Sequence, residues 1–233
     1  MLLDGLRHAV LLLLTGDQET WSITALTLRV SLTATTVALL LGVPLGTALA
    51  LGRFPGRRVL LAAANTGMGL PPVVVGLFVT VLLWRSGPLG AFGLLYTPTA
   101  MVVAQALIAT PIVSALTAAA LQQVDPDFLL QMRALGATRT RALRALLAEA
   151  RLPLLAAGLA GFGAVVSEVG AAQMVGGNIQ GGTRVLTTAA VLATSRGQFA
   201  LAIAFGLVLL AVAFAVNLLV TLAQQRGTRT SPS

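Results

Sequence analysis

The sequence predicts an all-α polytopic membrane protein. It reads as one transmembrane domain over residues 1–225, with about five membrane-spanning helices and an N-terminal interfacial helix, followed by a disordered tail at 226–233. Three observations carry that expectation. Only 9% of the 233 residues are charged and 57% are hydrophobic, with a mean hydropathy of +0.92. A soluble domain carries about 25% charged residues, so this chain has too little polar surface to face water. Four stretches, 30–51, 59–84, 86–124 and 197–225, hold no charged residue. Each exceeds the ~20 residues that cross ~30 Å of hydrocarbon. The stretches are rich in Leu, Val, Ala and Gly without the alternation of barrel strands, which leaves helices as the spanning elements.

Taken in order, MLLDGLRHAVLLLLTGDQE places Leu2, Leu3, Leu6, Val10 and Leu13 at helical spacing, with Asp4 and no small-residue cleavage site arguing against a signal peptide. The first span runs from about Ile23 to Leu51. It contains Gly42-Val-Pro-Leu-Gly46, a small-xxx-small pattern that lets helices approach closely. A basic turn with Arg53, Arg57 and Arg58 leads to a second span over 59–84. Its middle, Gly67-Met-Gly-Leu-Pro71-Pro72, lacks two backbone donors and cannot continue as a regular helix. A Gly-rich outer loop over 85–97 precedes the third span, 98–121. The markedly polar segment 122–152 follows, then a fourth span over 153–175 with Glu168 inside it. A Gly- and Thr-rich outer loop holding a short inserted helix leads to the fifth span, 198–223.

The basic residues set the orientation. With the N-terminus outside, the inner segments hold Arg53, Arg57, Arg58, Arg133, Arg139, Arg141, Arg144, Arg151, Arg226 and Arg229, and the outer ones only Arg7, Arg85, Arg184 and Arg196. This positive-inside bias also accounts for the net charge of +8 without a nucleic-acid partner.

Composition excludes several chemistries. The chain has no Cys and one His, His8, so thiolate sites and His clusters are ruled out. All fifteen basic residues are Arg. A phosphate-binding P-loop needs its Lys, so any ATP used, with its Mg²⁺, must be bound and hydrolysed on another polypeptide, and no cofactor is expected here.

The segment Asp127-FLLQMRALGATRTRALRALLAEARLP is a helix, a break at Gly136 and a second, amphipathic helix with Ala142, Leu143, Leu146 and Leu147 on its apolar face. It resembles the coupling loop of binding-protein-dependent ABC importer permeases, whose signature is an EAA triplet, three residues, Gly, and a later Leu-Pro. Arg133-Ala134-Leu135-Gly136-Ala137-Thr138 matches the centre and Leu152-Pro153 the end. Leu130-Gln131-Met132 stands where the triplet should be, and the Gly136–Pro153 spacing is longer. A second stretch, Ala164-Val-Val-Ser-Glu168-Val-Gly through Gly176-Gly-Asn178-Ile, followed by Thr183-Arg184, is similar to tungstate-type permeases, close to those for molybdate and sulfate.

The resemblance implies the type I ABC importer permease fold in a prokaryotic inner membrane, moving an oxyanion inward. It implies a homodimer with the pathway at its interface, a cytoplasmic ATPase dimer and an extracytoplasmic oxyanion-binding protein. Arg133, Ala134, Leu135, Gly136, Ala137, Thr138 and Arg139 would then couple to the ATPase. Gly69, Pro71, Pro72, Ser167, Glu168 and Asn178 are the candidates for path or gate. Glu168 is expected to have a structural or gating role, bonded to Asn65, Ser167 or the Gly67–Pro72 backbone, and not to contact substrate, since a like charge would repel a dianion. The alternatives are a permease for sulfate or another small solute, and a proton-coupled carrier using Glu168.

Overall fold

The computed structural model describes residues 17–228; the expected interfacial helix at the N-terminus lies outside them. The first helix, α1 (Gln18–Leu51), starts five residues before Ile23 because Asp17 caps it. Asp17 Oδ2 accepts the Thr20 N–H at 2.8 Å and the Thr20 hydroxyl at 2.6 Å. At the other end Arg57 donates to Leu49 O at 2.6 Å and Ala50 O at 3.1 Å, satisfying carbonyls that have no intrahelical partner.

The second span is broken, as the two prolines require. α2 (Arg57–Gly67) and α3 (Pro72–Leu83) meet at 105°, so the pair is a folded element and not one kinked rod. Neither half, at 11 and 12 residues, reaches beyond about 18 Å. A loop with a 3₁₀ turn (Gly90–Phe92) leads to α4 (Pro98–Gln122), the central helix, which packs on α1, α2 and α3. The polar segment forms α5 (Phe128–Ala134) and α6 (Arg139–Glu149).

The fourth span differs from the continuous helix expected over 153–175. α7 (Arg151–Val166) stops, residues 167–169 leave the helix, and α8 (Gly170–Gly176) restarts. α9 (Leu186–Ser195) is the short helix expected in the outer loop. Its Leu186 N–H reaches the Thr27 hydroxyl of α1 at 2.9 Å. Finally α10 (Phe199–Thr228) runs three residues into the stretch read as a disordered tail; residues 229–233 lie outside those described.

By length and composition α1, α4 and residues Phe199–Leu222 of α10 can each cross a membrane alone, and two bent pairs raise the number to five at most. The α1–α4 crossing uses the Gly42…Gly46 pattern. A Cβ at Gly42 would lie 2.8 Å from Val113 Cβ, and one at Gly46 2.6 Å from Thr117 Cβ, closer than side chains allow. Ala34, Ala38, Ala109, Val113 and Val165 form the core beside this crossing.

Candidate functional site: the coupling segment and the two helix breaks

The polar segment folds against the end of the bundle where α1 and α4 finish. Ala142 and Leu146 of α6 are buried, and Leu146 packs with Leu121 of α4 and Phe128 of α5. Arg139, Arg141 and Arg144 stay exposed, so α6 is amphipathic in the sense its sequence predicts. α5 ends in a Schellman motif: the Gly136 N–H donates to Arg133 O at 2.9 Å, and the Ala137 N–H to Met132 O at 3.0 Å. That motif places Gly136 at φ +83°, in the left-handed region where a Cβ is penalised. Thr138 then caps α6, its Oγ1 accepting the Arg141 N–H at 3.4 Å. Two caps back to back thus hold Leu135 outward, 82% exposed. The structure brings all seven expected coupling residues onto this one corner, with Ala137 partly covered.

The two breaks lie against one another. The start of α3 lies against the start of α8: a Cβ at Gly170 would stand 2.7 Å from Val73 Cγ2 and 3.5 Å from Glu168 Oε1. Further along, a Cβ at Gly76 would stand 2.7 Å from Ala171 Cα. Gly69, Pro71 and Pro72 are exposed at the first break, and Ser167 at the second. Ser167 bonds its own helix, donating to Gly163 O at 2.8 Å.

Glu168 is 6% exposed, and its partners are not those the sequence suggested. Its Oε1 accepts the Ala171 N–H at 2.7 Å and its Oε2 the Ala172 N–H at 2.9 Å, while the Thr187 hydroxyl donates to its backbone O at 3.0 Å. Asn65, Ser167 and the Gly67–Pro72 backbone are replaced by the first turn of α8. A chain break so close to the carboxylate frees those amides, and the helix dipole favours a negative charge there.

Asn178 does not join this cluster. It sits beyond the far end of α8, with φ +51°; it accepts from Arg184 Nε at 3.3 Å and donates to Thr188 O at 3.4 Å. Arg184 in turn pairs with Glu19 at 3.2 Å, tying the loop between α8 and α9 to the start of α1. Sequence reasoning missed Thr187 and Thr27, whose hydroxyls dock α9. It also missed Gln173, exposed on α8; a lone Gln in an apolar run was the available signal. Among the described residues no three His, Cys, Asp or Glu side chains gather where they could hold a metal.

This arrangement has counterparts among known proteins. The model of the family described as binding-protein-dependent transport system inner membrane component matches residues 42–229. The chain is 38% identical to the tungstate uptake system permease protein TupB of Peptoclostridium acidaminophilum, over 92% of this chain and 94% of that protein. It is 41% identical to a probable anion ABC transporter permease protein of Haloferax volcanii, over 85% and 88%. The fold superposes on a chain of the MetNI methionine ABC transporter in an inward-facing conformation with a TM-score of 0.69 at 21% identity, covering 95% of this chain and 98% of that one.

Proposed function

The chain belongs to the family of inner-membrane components of binding-protein-dependent ABC importers, a transport subunit and not an enzyme, and we propose that its substrate is tungstate, with molybdate as a related oxyanion. The substrate reading rests on the 38% identity to a tungstate uptake permease along nearly the whole chain.

The observation that carries the mechanism is the exposure of Gly69, Leu70 and Pro71. Non-helical backbone at membrane depth is tolerated only where protein buries it or a water-filled cavity bathes it. One chain leaves the break unburied, so a second copy covers it and the pathway lies between the two. The polar groups of Asn65, Thr66, Ser167 and Gln173, all exposed, would face that pathway and not lipid. Glu168 takes no part in holding the anion, because its carboxylate already occupies the free amides of α8. Both its oxygens are bonded, which also speaks against a proton-coupled role.

Outside the membrane a binding protein delivers the anion. Inside, ATP and Mg²⁺ are held by a partner ATPase, into which the Leu135–Gly136 corner inserts. Closure of the ATPase pair draws two such corners together and rocks the helices between inward- and outward-facing states.

Reconstituted permease–ATPase complex, supplied with the purified binding protein, tests the reading. Tungstate should stimulate ATP hydrolysis and accumulate in the vesicles, with molybdate weaker and sulfate without effect. Stimulation by sulfate alone would assign the chain to the sulfate reading.

A further inference from the structure

The turn between α1 and α2 holds a cavity of about 390 Å³ lined by Arg53, Phe54, Arg57, Arg58 and Val59, among others. We propose that this cavity binds the phosphate of an anionic phospholipid headgroup in the cytoplasmic leaflet, with the Arg53 and Arg58 guanidinium groups as its donors.

The three arginines have divided roles. Arg57 is committed to the chain itself, since its Nε and a terminal nitrogen cap Leu49 O and Ala50 O. Arg53 and Arg58 make no hydrogen bond or ion pair among the described residues, and both are exposed. No acidic side chain lines the cavity, so their charge is uncompensated within it. A guanidinium presents planar forks that match phosphate oxygens, and Arg57, fixed by its two carbonyl bonds, holds the turn in place between the other two.

The surroundings select a lipid over a free oxyanion. Leu51, Phe54, Val59 and Leu60 are all exposed, Val59 at 70%, and they rim the basic turn at the end of α1 and the start of α2. Basic groups beside apolar side chains at a cytoplasmic boundary match a ligand whose head is anionic and whose tails are hydrocarbon. The positive-inside rule accounts for arginines on this side, but it requires no cavity and no apolar rim.

The full chain, reconstituted in vesicles of equal parts phosphatidylethanolamine and phosphatidylglycerol, is extracted into mild detergent and its retained lipid measured by native mass spectrometry. Phosphatidylglycerol should be retained selectively. R53Q/R58Q should lower that retention about tenfold, as expected for losing charge-assisted bonds, whereas R141Q/R144Q, which removes the same charge from α6, should not. Added inorganic phosphate should leave the lipid in place. Equal loss in both pairs would reduce the effect to diffuse surface charge and overturn the site. Absence of selectivity would overturn it too, and displacement by inorganic phosphate would show a free-oxyanion pocket instead. Should R53Q/R58Q fail to insert, R53K/R58K keeps the inner charge while removing the forks. The same drop is expected, and retention at the wild-type level would refute the proposal.

Discussion

At Gly136, φ +83° and the emptiness around the Cβ position act together: beyond its two chain neighbours, no other residue comes within 4 Å of where that carbon would be. A side chain here meets no steric wall, and the penalty is conformational, about 1–2 kcal/mol for a left-handed residue. Gly136→Val should therefore insert and fold with the bundle intact while the α5–α6 corner changes shape. Co-purification with the ATPase and transport should both fall; normal transport by this variant would refute the docking role. Glu168 behaves differently because both carboxylate oxygens accept an amide. Glu168→Gln keeps one acceptor and turns an NH₂ toward the other amide, so it should lose stability on the order of 1.5–3 kcal/mol, one charge-assisted bond, and Glu168→Ala more. Thermal unfolding in detergent gives the order, and uptake per folded complex should be near normal for Gln. A stable Gln complex without uptake would make the charge itself functional. The positive φ of Gly136 was legible, since a lone Gly between two helical patterns has few other uses. The partners of Glu168 were not, because the end of α7 comes at Ser167 without a Pro or Gly in the preceding turn's last three residues to announce it.

Helix boundaries here follow from caps. Asp17 lies at the start of α1, and the Thr20 hydroxyl, followed by the Thr20 backbone N–H, holds its carboxyl below the usual carboxylate range. A lowered folded-state value means that the ionised cap stabilises α1 fully above the ordinary Asp value, ~3.9, and that this contribution is lost as pH falls through the lowered value. Asp17→Asn should cap without that pH dependence, and Asp17→Ala should cost about 1 kcal/mol. Amide exchange in the first turn of α1, measured against pH, separates the three; identical profiles for Asp and Asn would exclude the carboxylate as the cap. Elements with strong local chemistry were readable in this way: the Pro71–Pro72 break, the amphipathic α6, and the Gly42…Gly46 contact all follow from spacing. The bend of 105° between α2 and α3 was not, because proline removes donors without setting an angle; packing of Gly67 against Pro111 and Gly76 against Ala171 sets it.

At the scale of the whole molecule, topology and assembly can be tested on one background, since the chain has no cysteine. Ser86→Cys in the outer loop and Thr140→Cys in α6 should be labelled from opposite sides of the membrane, as the arginine bias requires; labelling from one side would sink the orientation. Assembly as a homodimer is expected only through resemblance, for a sequence pattern cannot tell a lipid-facing apolar face from one that meets a partner. The proposed interface rests on what accompanies the apolar residues. Val74, Phe78 and Val81 form a stripe on α3, each between 55% and 59% exposed, and the stripe continues into the exposed break at Gly69–Pro71. Leu210 and Phe214 on α10 are exposed to a similar degree, both at 67%, yet no break lies beside them. A two-fold dimer places one patch against its own copy, so Phe78→Cys should cross-link to a second chain in the native membrane with a short bifunctional thiol reagent, and Leu210→Cys should remain monomeric. If Leu210→Cys cross-links and Phe78→Cys does not, the interface lies on α10 and the covered break needs another occupant.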